Sequence, residues 1–205
     1  MRFARKRHHK FETYPSDSKG KDKGVYDVSD RFSLGIAGDW GTGTDEAYEV
    51  TQKMKGHGPD YTIHLGDVYY VGDLPELKVN CLADPGGRHK GVRWEWGTKG
   101  SFALNGNHEM YACGDAYFNE FLPTLGLRIP GQLKLSGQKA SFFCLQNKQW
   151  RIVGLDTGYN SAGLGMTLLN SLSKIKWIKW FRKVPYFKPS SARWNLSYWI
   201  GCATL

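Results

Sequence analysis

The 205 residues, 40% of them hydrophobic and 23% charged, suit one domain with a sizeable core. The net charge of +9 sits at the ends: residues 1–24 carry +5 and residues 171–205 carry +7, which leaves the body between them mildly acidic at −3. No window is long and apolar enough for a membrane span, and Cys81, Cys113, Cys144 and Cys202 form no CxxC pair, which argues against a spanning helix, a disulfide framework and a zinc knuckle.

In chain order, residues 1–30 are polar and read as a flexible basic lead-in. No apolar run follows Arg2, Arg5, Lys6, Arg7 and Lys10, so no secretory leader is expected and the expected location is the cytoplasm. Residues 32–37 form a short apolar run that predicts a strand. Residues 45–55 predict a helix with Thr44 as its N-cap and Ala47, Val50 and Met54 along one face, stopped by Gly56, Gly58 and Pro59. Residues 61–65 predict a second strand, which completes a β-α-β unit with parallel strands. Residues 74–96, with Pro75, Pro85, Gly86 and Gly87, read as a long loop. A third strand is predicted over 101–105, and a short helix over 115–125 turns Phe118, Phe121 and Leu122 inward. Residues 141–145 and 150–155 alternate on either side of Gln146-Asn147-Lys148-Gln149, which predicts a hairpin and hence a second sheet. Residues 168–184 predict a further helix.

Three corners stand just past the first three strands: Gly38-Asp39-Trp40-Gly41, Gly66-Asp67-Val68-Tyr69-Tyr70 and Gly106-Asn107-His108-Glu109. Ligands of open α/β sheets gather at the carboxyl ends of strands. Either aspartate alone would read as a helix cap. Both together with Asn107 supply hard oxygen donors past three successive strands, which suggests a metal site holding a phosphate ester, and a carboxylate that bridges two cations is the usual core of a two-metal hydrolase. Tyr70 offers a phenol suited to a strongly Lewis-acidic iron. His108 follows Asn107 directly and suits a phosphate or leaving-group contact better than the same ion. Gly41-Thr42-Gly43-Thr44 lacks the Gly-Lys-Ser/Thr ending of a nucleotide loop. His64, inside a strand, reads as a core histidine, His8 and His9 as solvated, and His89 as a residue of the long loop.

The pattern Gly-Asp-x-Gly, Gly-Asp-x-x-Tyr, Gly-Asn-His-Glu resembles the calcineurin-like metallophosphoesterases, and most of all their purple-acid-phosphatase branch. Most of that superfamily has Asp-x-His at the first corner. Here Gly41 stands in the histidine's place, and Tyr70 stands where the branch carries its coordinating tyrosine. Leu155-Asp156-Thr157 resembles a segment that follows a central strand in the family. The resemblance implies a four-layer α/β/β/α sandwich and a dinuclear site of iron with zinc, manganese or a second iron, acting on phosphate esters. Asp67 would bridge the ions, Asp39 and Tyr70 would hold the first, Asn107 the second, and His108 would be the catalytic residue. It spans about residues 32–183, so the expected organisation is a lead-in over 1–30, the N-terminal part of the domain over 31–184, and an atypical tail over 185–205.

The family completes its site with later histidine loops, yet none of the six histidines follows position 108. After Val184 the chain runs Pro185-Tyr186-Phe187-Lys188-Pro189 where the family has an apolar strand. The expectation is an incomplete second half, a tail like that of a frameshifted or prematurely stopped chain, and little phosphatase activity. Two other readings stay open: a non-catalytic relative that binds a partner, and a nucleic-acid binder led by the basic ends.

Overall fold

The computed structural model describes residues 8–15, 24–83 and 91–161. Among the described residues seven strands form two sheets. In the first, β2 (Leu34–Ala37), β3 (Tyr61–His64) and β4 (Gly100–Ala103) run parallel, and β5 (Gly126–Leu127) closes the edge antiparallel to β4. In the second, the hairpin β6 (Phe143–Gln146) and β7 (Arg151–Gly154) is flanked by β1 (Val25–Asp27), parallel to β6.

The sheets pack face to face through Tyr61, Ile63, Phe102 and Leu104 from one and Phe143 and Leu145 from the other. Phe102 and Phe143 are fully buried with ring centroids 4.8 Å apart, and burying such a side chain stabilises by about 1.5–3 kcal/mol. On the far face of the first sheet lie α1 (Asp45–His57), α2 (Leu74–Cys81) and a π-helical turn (Tyr117–Phe121), joined in one core by Trp40, Leu77, Trp94, Tyr117 and Phe121. The described residues therefore form helix, sheet and sheet layers of the expected α/β sandwich. The helix expected over 168–184 and the tail after Val184 lie outside the described residues.

Local chemistry explains most boundaries. The Thr44 side chain accepts from the Ala47 N–H, and Gly58 closes α1 in the left-handed region at φ 54°. Gly56 is inside α1 rather than at its end. Residues 74–81 are helical where a loop was expected. Pro75 lies in the first turn, where its missing N–H costs nothing, and Asp73 caps the Glu76 N–H. The helix expected over 115–125 splits into the π turn and a 3-10 turn (Leu122–Thr124), with Phe118, Phe121 and Leu122 buried as predicted.

The lead-in is the larger departure. Residues 25–27 form β1, and residues 8–15 lie against the body: His9 stacks on Phe118 at 4.8 Å, and Phe11 stacks on Phe142 at 5.9 Å. Aromatic rings at intervals in a polar sequence anchor the segment where net composition suggests solvent.

Candidate metal centre

The three corners meet at the carboxyl ends of β2, β3 and β4. Asp39 and Asp67 both have left-handed backbones, with φ of 54° and 70°. Aspartate tolerates this region better than most residues, and it turns the chain sharply out of each strand. The Asp39 N–H donates to the Gly66 carbonyl at 3.2 Å, and the Tyr69 N–H to the Gly41 carbonyl at 2.9 Å, so the first two corners stay paired beyond their strands.

The second and third corners touch backbone to backbone. A Cβ on Gly66, whose φ is 102°, would lie 2.5 Å from the Gly106 nitrogen. A Cβ on Gly106 would lie 2.1 Å from Asp67 Oδ1. Into the space that Gly106 leaves, the His108 N–H donates to that same Oδ1 at 3.2 Å. His64, fully buried as expected of a core histidine, accepts the Gly66 N–H on Nδ1 at 3.0 Å, and burial lowers its pKa to about 4.

Glu109 joins these two corners, a role that the sequence reading did not assign it. It is 1% exposed and accepts from the Val68 N–H at 2.8 Å, the Gly106 N–H at 2.8 Å and the Asp67 N–H at 3.3 Å. Burial raises its pKa to about 7, with the Asp67 charge adding and the backbone donors opposing. The available signal was its position: an acid three residues after a helix-opening glycine is placed to accept that residue's N–H.

Among the expected site residues, Asp67 is 4% exposed, and burial raises its pKa, with the Asp39 carboxylate adding and the His108 N–H opposing. Asp39 is exposed, and it accepts from the Tyr69 hydroxyl, which burial first and Asp39 second keep protonated well above the ordinary phenol range. His108 is half-buried, with Nδ1 2.7 Å from the Tyr70 carbonyl and its ring 4.3 Å from that of Tyr69. Asn107 is half-buried and donates from Nδ2 to the Tyr111 hydroxyl at 2.9 Å. Tyr70 is 78% exposed. The fold thus brings Asp39, Asp67 and His108 together and leaves the Asn107 and Tyr70 side chains at the rim. His89 lies outside the described residues.

Two carboxylates converging with few donors between them suit a cation, and their hard oxygens suit a divalent one. Among the described residues no group of three or more His, Cys, Asp or Glu side chains is placed to hold a metal. Among the described residues the corners thus bring two carboxylates together, short of a group of three such side chains.

Behind the third corner, Asp156 is buried and accepts from the Ser141 hydroxyl and from the Tyr159 N–H, the latter at 2.9 Å. A Cβ on Gly158 would lie 2.3 Å from the Asn105 carbonyl and 2.5 Å from that of Gly106, so this turn backs the corner directly. Burial raises the Asp156 pKa to about 6 from 3.8. A raised folded-state pKa means that this carboxyl's contribution to stability is fully present below about pH 4 and is lost as pH rises through 6. Asp156→Asn removes that loss. The unfolding free energy of the variant relative to the unmodified chain should rise between pH 4 and pH 7 by up to about 3 kcal/mol. A pH-independent difference in denaturant titrations would refute this.

A family model for the calcineurin-like phosphoesterases matches residues 32–198, most of the chain. No curated protein or solved structure matches it significantly.

Proposed function

The chain belongs to the calcineurin-like phosphoesterase family, and from that premise we propose that its three corners form a metal centre for the hydrolysis of phosphate esters. Membership supports phosphoester hydrolysis and divalent metal binding in general. The finer reading is a dinuclear, purple-acid-phosphatase-like site. The observation that carries it is the convergence of Asp39 and Asp67 on left-handed backbones at adjacent strand ends.

Asp67, between the first and third corners, would bridge two ions. Asp39 would hold the first with Tyr70, whose exposed side chain is available at the rim, and Asn107 would hold the second. Cations held there supply Lewis-acid stabilisation of the phosphoryl oxygens. The protein's own contribution is position and proton transfer. His108 Nδ1 faces the Tyr70 carbonyl at 2.7 Å, so that nitrogen carries a proton and donates it. Nε2 is then the atom left for the ester. A protonated ring would give its Nε2 proton to the departing oxygen.

The test is metal retained after dialysis against manganese, alongside turnover of a chromogenic phosphate ester. Asp67→Asn should lose metal more completely than Asp39→Asn or Asn107→Ala, because a bridging carboxylate belongs to two coordination spheres. Equal metal in Asp67→Asn and the unmodified chain would overturn the reading, whether or not turnover is measurable.

A further inference from the structure

Asp39 and Asp67 are held in unequal ways. Asp67 is 4% exposed, and the backbone N–H of His108 fixes its Oδ1. Asp39 is exposed, so packing does not set the direction of its carboxylate. Its charge is of the same sign as that of Asp67, which favours rotation into solvent. The hydroxyl that holds it in place belongs to Tyr69, which donates to Asp39 Oδ1.

Tyr69 is itself tightly fixed. Its N–H donates to the Gly41 carbonyl at 2.9 Å, and its own carbonyl accepts from Asn80 Nδ2 at 2.9 Å. The same Asn80 nitrogen donates to the Gly41 carbonyl at 3.0 Å. Asn80 is 6% exposed, and a Cβ on Gly43 would lie 2.3 Å from its Oδ1. The phenol therefore leaves a backbone pinned on both sides. Its ring lies 4.3 Å from the His108 ring, tilted by 50°. One side chain from the second corner thus touches the carboxylate of the first and the imidazole of the third.

We propose that Tyr69 is the positioning residue of this site: its hydroxyl orients Asp39 toward Asp67 before a cation arrives and holds it there afterwards, while its ring sets the angle of His108. The inference rests on the metal-centre reading above. Tyr69 touches neither ion nor ester and acts through Asp39. The neighbouring Tyr70, exposed at the rim, remains the phenol that would ligate the first ion. A carboxylate ligand hydrogen-bonded from outside is oriented by that partner, and removing such a partner costs about 10–100-fold in metal affinity.

The experiment is Mn²⁺ titration of the full chain by calorimetry, with Tyr69→Phe, Tyr70→Phe, Asp39→Asn and the double variant Tyr69→Phe/Asp39→Asn. Tyr69→Phe keeps the ring and its packing, and its unfolding midpoint serves as the folding control. Affinity should fall about 10–100-fold in Tyr69→Phe. The double variant should bind no more weakly than Asp39→Asn alone, since the hydroxyl has no carboxylate ligand left to orient. Tyr69→Phe binding as tightly as the unmodified chain, or losses that add in the double variant, would overturn the inference while leaving the metal centre intact. An unmodified chain that takes up no Mn²⁺ would overturn both. A visible absorption band in the iron-loaded chain that Tyr69→Phe abolishes would make Tyr69 a ligand and also overturn the positioning role. Loss of the band in Tyr70→Phe alone supports the assignment made here.

Discussion

Gly106→Ala should abolish metal retention by the chain while leaving most of the fold in place. The added Cβ would lie 2.1 Å from Asp67 Oδ1 and 2.7 Å from the Asp67 nitrogen. Neither atom can yield cheaply. The nitrogen is backbone at a residue already at φ 70°, and the adjacent Gly66 backbone runs so close to Gly106 that a Cβ there would lie 2.5 Å from the Gly106 nitrogen. The carboxylate must therefore swing away from the third corner and give up the His108 N–H. That movement removes the proposed bridging ligand and shifts Asn107 and His108 with it. The cores on both faces of the first sheet are built by Trp94, Tyr117, Phe102 and Phe143, away from this contact. Far-UV circular dichroism should stay close to that of the unmodified chain, whereas manganese retained after dialysis should fall to background. Retention of normal metal content would mean that Asp67 and the third corner do not act as one unit.

Much of this site was legible because the signals were short-range. Strand, glycine and oxygen donor follow one another in each corner, so the sequence order alone places Asp39, Asp67 and Asn107 at the ends of β2, β3 and β4. The parallel unit and the β6–β7 hairpin were legible for the same reason, through apolar runs and one polar turn. What failed was long-range or competed with a stronger local cue. Strand β1 lies in a polar stretch and exists because β6 pairs with it, with Val25 opposite Cys144. Helix α2 was masked by Pro75, a helix breaker everywhere except at the first turn, where it stands. Spacing pointed to Tyr70 and said nothing of the phenol beside it. It is the Tyr69 hydroxyl, from a backbone pinned by Gly41 and Asn80, that meets Asp39. Glu109 was visible as part of a motif, but its three backbone partners come from two corners whose residues lie up to 42 positions away in sequence.

Those partners set the second large effect: Glu109→Ala should be among the most damaging single changes to both stability and metal retention. Its carboxylate is buried at 1% exposure and accepts the N–H groups of Val68, Gly106 and Asp67. Truncation leaves three buried donors and a void. A buried donor left unpaired costs about 1–3 kcal/mol, so the loss should reach several kcal/mol unless water enters the space. Glu109→Gln separates the causes. It keeps the volume and one acceptor oxygen but turns an NH₂ group toward N–H groups, so two donors face each other. If hydrogen bonding matters most, glutamine should recover only a minor part of the stability lost in alanine. If filling the space matters most, it should recover nearly all of it. The geometry favours the first outcome, because the two oxygens are both in use: Oε1 serves Val68, and Oε2 serves Gly106 and Asp67. Metal retention should follow the same order, since the Asp67 and Gly106 amides fix the very corners that present Asp67 and Asn107. Denaturant midpoints of the two variants, read beside their manganese content, decide the point. A glutamine variant as stable and as metal-competent as the unmodified chain would show that the carboxylate only fills space between the corners.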